Sequence, residues 1–354
     1  MLWITGGRTV VAAAATATGW PALAAVEAQM HHVPWHGFTA WDLVFPLFLF
    51  LSGATLPFSQ DRKREAGESR SRLARRIVRR AFLLVLLGAV YNGLLRFELD
   101  SQRWASVLGR IGLAWAGAAA IALFVGTRGR ALAVVGILAG YAALLSFWPQ
   151  SGGAGAFVQG QNVVDLFDQR FLPGRLHRGD HDPEGLLSTV PAIATALLGA
   201  LAGERLRRVG KPRIGTAVEL LVAGLVLLGL GWALDPVVPV NKALWTPSFV
   251  LVAGGWSAIL LGVFHAWVDV GVPSDTDAST KSWRRRLAFP LVVLGANAIT
   301  LYLLDRFVAF DALVAFLLDR NPPALAPVWI ALAAVGLRWL CLWGLWRRRW
   351  FLRV

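Results

Sequence analysis

The feature that most limits what this chain can become is a recurrence of apolar runs, each about 20 residues long, from one end to the other. A helix of that length crosses a hydrocarbon core of roughly 30 Å. Within such a core, only segments that satisfy their own backbone hydrogen bonds persist. Ten candidate spans are read: 2–20, 38–58, 77–95, 106–126, 131–148, 186–204, 214–233, 246–268, 288–306 and 325–346. Charged residues make up 16% and apolar residues 56%, with a mean hydropathy of +0.56, against roughly 25% charged in an ordinary soluble domain. The sequence therefore predicts an all-α, polytopic transmembrane helix bundle of about ten spans, with residues 1–354 as one membrane domain in a lipid bilayer.

The net charge of +14 does not point to nucleic acid, because the basic residues are not spread over a surface. They collect in alternate short loops: 60–80, Gly126–Arg130, 204–213, Lys281 with Arg284–Arg286, and the tail Arg347–Arg353. Cytoplasmic loops carry that bias. The loops between them, 21–37, 96–105, 149–185, 234–245 and 307–324, are then extracytoplasmic. Both termini face the cytoplasm, and the expected location is the inner (cytoplasmic) membrane. Residues 1–25 end in a small-residue stretch suited to signal cleavage. However, Arg8 is the first basic residue and Gly6-Gly7 breaks the apolar run, so a retained first helix that begins late is expected. A single cysteine, Cys341, excludes an intrachain disulfide.

Chemistry-capable side chains gather on the outer face. His31, His32 and His36 precede the second run, Asp42 lies about one turn inside it, and Pro46 follows. Pro46 has no N–H for the carbonyl of Asp42, so a bend is expected there. A carboxylate a few residues after a histidine can orient it and raise its basicity, as in acyl-transfer sites; Asp42 serves equally as a simple interfacial cap. Arg110 opens the fourth run inside the outer leaflet and needs an anionic partner, a carboxylate or a ligand group. Asp182-Pro183-Glu184 opens the sixth run with acids at the positive helix end. Asn241 and Lys242 precede the eighth run, and Asn297 falls in the ninth, where it can bond between helices. In the loop 149–185, the apolar positions 163, 164, 167 and 171 predict a short amphipathic helix on the outer surface. The sequence contains no HExxH, Walker loop or cysteine pair, so no metal is expected.

Taken together, these segments resemble the bacterial branch of the heparan-alpha-glucosaminide N-acetyltransferase family. The resemblance rests on His32-x-x-Trp35-His36-Gly37-Phe38-Thr39 with Asp42-Leu43-Val44-Phe45-Pro46, on Leu108–Leu113, and on Asp182–Thr189. Asn241-Lys242-x-Leu244-Trp245-Thr246, Asn297-Ala298 and Trp350–Val354 add to it. It implies transfer of an acetyl group from cytosolic acetyl-CoA, across the membrane, to the amine of a terminal glucosamine. It also implies that the active-site histidine is the one three residues before Trp-x-Gly, which is His32. The family usually carries a further segment ahead of the stretch matching Trp3–Gly7, so the first span is expected to be truncated at its N-terminus.

The expected catalytic residues are His32, as base or transient acetyl carrier, and Asp42. The expected substrate contacts are Trp35, His36, Arg110, Asp182, Glu184, Asn241, Lys242 and Asn297. Expected partners are acetyl-CoA, an amino sugar or envelope glycan, and the bilayer, with a homodimer allowed for. The alternative is a transporter or flippase for a glycan or lipid precursor, with Asp42, Arg110 and Asp182 as substrate or proton sites.

Overall fold

The structure is a computed structural model that describes residues 3–148, 155–210, 212–270, 278–318 and 326–352. In chain order, the helices are α1 (Arg8–Thr18), α2 (Pro21–Ala28), α3 (Val44–Ala54), α4 (Arg70–Tyr91), α5 (Val107–Phe124), α6 (Thr127–Phe147) and α7 (Val163–Phe171). They continue with α8 (Thr189–Val209), α9 (Ile214–Leu234), α10 (Pro247–Phe264), α11 (Ala278–Ala296), α12 (Ala298–Phe307), α13 (Phe310–Leu318) and α14 (Ala326–Arg347). No strand occurs among the described residues, only an isolated antiparallel bridge between Arg103 and Gly174. The all-α membrane bundle expected from the apolar runs is what the chain forms.

Every expected run falls on a helix, but the runs are not equal. Among the described residues, five helices are long and apolar enough to cross a bilayer: Val107–Phe124, Thr127–Phe147, Ile214–Leu234, Pro247–Val270 and Pro327–Arg347. The pair Arg286–Ala296 and Ala298–Phe307, bent by 64°, makes a sixth if it is one broken span. The others fall short for physical reasons. α3 has 11 residues, and the first half of α4 carries six arginines. Gly6 adopts φ 108°, which interrupts the run ahead of α1.

The second run also starts later than its hydropathy suggests. Residues 40–43 form a turn and α3 begins at Val44. Pro46 therefore sits in the first helical turn, where its missing N–H costs nothing, and it does not bend the helix beyond Asp42. The sixth run behaves alike: Asp182–Ser188 is a turn, and α8 begins at Thr189.

Contacts divide the chain into two compact units. One comprises Met1–His32, Thr39–Trp41 and Val272–Val354; the other comprises Val33–Phe38 and Asp42–Gly271. In the first unit, Arg338 of α14 is buried and binds Asp305 at 2.8 Å and Asp311 at 2.6 Å. Val293, Leu294, Leu301 and Leu342 form its apolar core.

In the second unit, α3 packs on α8, α4 on α5, and α9 on α10. The core joins Leu49, Trp115, Ala118, Ala196, Trp245 and Phe249. Small residues let the α3 and α8 backbones touch, as in other membrane helix pairs. A Cβ on Gly199 would lie 1.9 Å from the Phe50 carbonyl oxygen, whereas one on Gly229 of α9 would meet nothing within 4 Å. Gly199→Ala is therefore expected to destabilise the protein by about 1–3 kcal/mol. Gly229→Ala, a plain gain in helix propensity, should stabilise it by about 0.5–1 kcal/mol. Thermal unfolding in detergent compares the two; equal midpoints would contradict the packing.

This packing sets two polar clusters at opposite ends of the second unit. One lies where α3, α5 and α8 begin, and the other where α5 and α8 end. Arg110 and Ala122 mark the two ends on α5; twelve residues of helix separate them by about 18 Å.

Candidate active site

The histidine-bearing segment is divided between the units. In the first, His32 is exposed, and its ring centroid lies 6.1 Å from that of Trp41. His31 is engaged differently. Its ring nitrogens meet Glu27 Oε1 at 2.5 Å and the Arg8 guanidinium at 3.3 Å, and its carbonyl accepts from Thr39 Oγ1 at 2.6 Å. Asn297 also belongs to the first unit. It is buried at the break between α11 and α12, and neither side-chain polar atom has a hydrogen-bond partner among the described residues.

The second unit gathers most of the other expected residues. Asp42 is fully buried. Its Oδ1 lies 3.3 Å from Lys242 Nζ, and its Oδ2 accepts from the Val33 N–H at 3.4 Å. Burial lowers the Lys242 ammonium below the usual lysine range, and the Asp42 carboxylate opposes that shift. The Gly37 N–H donates to the Val240 carbonyl at 2.8 Å, which fastens the histidine segment to the 235–246 loop. In that loop, Asn241 Oδ1 accepts from the Leu244 N–H at 2.9 Å, and the Asn241 N–H donates to Thr246 Oγ1 at 3.0 Å. Asn241 Nδ2 is buried without a hydrogen-bond partner among the described residues. Trp35 donates through Nε1 to the Phe157 carbonyl at 2.7 Å, and its ring meets the His181 ring edge-on at 5.2 Å. His36 is exposed.

The acids that open the sixth run have a partner the sequence did not single out. Arg103 binds Asp182 through Nε and Nη2, at 2.8 and 2.6 Å, and also binds Glu184. The isolated bridge positions it, because the Arg175 N–H bonds the Gln102 carbonyl at 3.1 Å. Gly174, at φ 74°, is close enough that a Cβ there would lie 2.0 Å from that carbonyl oxygen. Asp182 further accepts from the His177 and Glu184 N–H groups. Burial pushes its carboxyl up, but Arg103 and these donors win and hold it below the usual carboxylate range. Arg110 instead donates through Nη2 to the Gly185 carbonyl and to Ser188 Oγ.

α7 forms as the amphipathic pattern requires, capped by Asn162 Oδ1, which accepts from the Val164 and Asp165 N–H groups. Its buried face differs from the expected one. Val163 and Val164 are inward, but Asp165 and Asp168 are fully buried, whereas Phe171 is exposed. The acids turn inward because each finds fixed donors. Asp165 accepts from His181 Nδ1 at 2.6 Å, the Gly160 N–H and Asn162 Nδ2. Asp168 Oδ1 accepts from the Leu186 and Leu187 N–H groups, while its Oδ2 has no hydrogen-bond partner among the described residues.

Burial raises the Asp168 carboxyl to about 6, against those two backbone donors. A carboxyl raised on folding stabilises the protein fully below its unfolded pKa, near 4, and that stabilisation is lost as pH rises through about 6. Wild type should therefore lose roughly 2 kcal/mol relative to Asp168→Asn between pH 4 and 7. Unfolding midpoints across that range test this, and a wild type that gains on the variant with rising pH would contradict it.

No protein-family model matches the chain. It is 28% identical over 296 residues to the human protein named heparan-alpha-glucosaminide N-acetyltransferase, covering 68% of this chain and 44% of that one. The mouse protein of the same name is 25% identical over 296 residues, covering 68% of this chain and 45% of that one. The chain is a distant relative of these proteins. It spans less than half the length of either.

Beside the expected residues, the structure adds Arg103, Asp165, Asp168 and His181 to the polar end of the second unit. Asp182 and Glu184, two acids in a loop against an apolar bundle, were the available signal for Arg103.

Proposed function

We propose that this chain is a membrane acetyltransferase that moves an acetyl group from acetyl-CoA to the amine of a sugar or envelope glycan. The observation that carries the reading is the 296-residue similarity to proteins named for that transfer. The second unit supports it with chemistry of two kinds at its two ends. At one, Arg64, Arg130, Arg207 and Arg208 line a cavity of about 470 Å³ together with Asp61, Glu65 and Glu204, and each arginine is paired with one of these acids. Guanidiniums that exchange these carboxylates for phosphate oxygens are the groups that would hold the phosphates of CoA. At the other are Asp42, Lys242, Asp182 and Glu184. In the orientation that loop charge favours, the arginine end faces the cytoplasm of an inner membrane.

Three events complete the transfer. The acceptor amine attacks the thioester carbonyl and forms a C–N bond. The C–S bond breaks and the CoA thiolate leaves. The amine sheds a proton, and His32 is the base that takes it, or it first carries the acetyl group itself. Asp42 follows His32 by ten residues and holds the N–H of the next residue, Val33. It anchors the chain from Val33 onward, the residue that follows His32.

Purified protein in vesicles, supplied with labelled acetyl-CoA and a panel of amino sugars, tests the reading. Labelled N-acetyl sugar is the expected product. Sugar uptake into the vesicles without acetylation would overturn the enzyme in favour of a transporter.

A further inference from the structure

Among the described residues, Arg110 is a buried cation without a directly bonded counter-ion. It is 1% exposed in the first turn of α5, a helix long and apolar enough to cross the bilayer. Its Nη2 is satisfied by neutral acceptors, the Gly185 carbonyl and Ser188 Oγ, while its Nε and Nη1 have no hydrogen-bond partner among the described residues. Asp168, Asp182 and Glu184 act on it only through space. The last two are bonded to Arg103, and Asp168 is bonded to the Leu186 and Leu187 N–H groups. A charge placed this way is costly unless an anion meets it, and an ionisable side chain kept inside a membrane segment marks a substrate path.

Two neighbours give the surroundings a ligand-like character. The Trp245 ring lies 5.0 Å beneath the guanidinium carbon and offers a flat wall. Asp168 Oδ2, also unpartnered, lies against Gly185, where a Cβ would stand 1.6 Å from that oxygen. Arg110 bonds the carbonyl of the same glycine. A bare pair of donors and a bare acceptor thus flank one residue that has no side chain.

We infer that Arg110 is the specificity residue for an anionic oxyacid group, phosphate or carboxylate, carried by the acetyl acceptor. The preferred acceptor is then an anionic amino sugar: its oxyanion takes Nε and Nη1, and a hydroxyl donates to Asp168. The source is the acceptor and not CoA because Arg110 stands at the end of the unit opposite the arginine-lined cavity. This rests on the acetyltransferase reading and adds the acceptor's charge to it.

The test is calorimetric binding to the full chain in detergent, with glucosamine, glucosamine 6-phosphate, muramic acid, CoA and pantetheine as probes. Wild type should bind glucosamine 6-phosphate or muramic acid at least tenfold more tightly than glucosamine. Arg110→Gln should erase that preference and Arg110→Lys retain part of it. Inorganic phosphate should compete with glucosamine 6-phosphate in wild type, a result that stands even if Arg110→Gln does not fold. Equal binding of charged and neutral sugars, or a preference that survives in Arg110→Gln, overturns the inference. If Arg110→Gln instead erases the preference for CoA over pantetheine, the anion is the donor's, and the inference is likewise overturned. Acetyl transfer to glucosamine with no charge preference would sink the inference alone. Arg110-dependent binding without acetyl transfer would sink the enzyme reading alone.

Discussion

His32→Ala is expected to lower acetyl transfer by about 10²–10⁴-fold, the range for loss of a positioned base, while thermal stability stays within about 0.5 kcal/mol of wild type. The second half of the expectation follows from placement. The His32 ring is exposed and meets Trp41 from 6.1 Å, so truncating it opens no cavity. The neighbouring histidines serve as internal controls. His31 is held by Glu27 and Arg8, so His31→Ala should cost stability locally and leave most of the transfer. His36 is exposed, and His36→Ala should act chiefly on acceptor KM. Asp42→Asn is not a clean comparison, because it also leaves Lys242 buried without its carboxylate; its loss of rate must be read beside its loss of stability. Incubation with labelled acetyl-CoA alone separates the two roles of His32: a labelled imidazole marks a carrier, and an unlabelled but competent protein marks a base. Full activity in His32→Ala would end the assignment.

The membrane bundle was legible because burial in lipid requires an apolar run and little else, and each run became a helix. Where runs begin was not legible. Hydropathy extends α3 back to Phe38, yet the chain keeps a turn through Asp42, because its carboxylate is used by Lys242 and by the Val33 N–H. The same limit explains α7. Apolar spacing alone put Val163, Val164, Phe167 and Phe171 on one buried face; in fact fixed donors from residues 160, 162, 181 and 186 draw Asp165 and Asp168 inward. Those donors come mainly from loops, whose course no periodicity encodes. For Arg110 the need for an anionic partner was legible. That the nearby acids are taken by Arg103, 79 and 81 residues away in sequence, was not.

Arg103→Ala is expected to be the most destabilising single change at this end of the protein, at about 3–5 kcal/mol. Asp182 is fully buried and binds Arg103 through both oxygens; Glu184 is bound by the same guanidinium. Removing it leaves two carboxylates together in a desolvated turn, with only the backbone N–H groups of His177 and Glu184 on Asp182. The pH dependence identifies this cause. Arg103 holds the Asp182 carboxyl below its ordinary value, so its contribution is present above an unfolded pKa near 4 and fades as pH falls. In Arg103→Ala, burial is opposed only by the His177 and Glu184 N–H groups and raises that carboxyl, so protonation relieves the variant. The stability gap between wild type and Arg103→Ala should therefore shrink as pH is lowered from 7 towards 4. Asp182→Asn added to Arg103→Ala should recover part of the loss at neutral pH, since it removes one of the two stranded charges. Denaturation midpoints in detergent for the four proteins of this cycle decide it. A gap that widens with acid, or a double variant no more stable than Arg103→Ala, would mean that Arg103 acts through packing and not through the charge it neutralises.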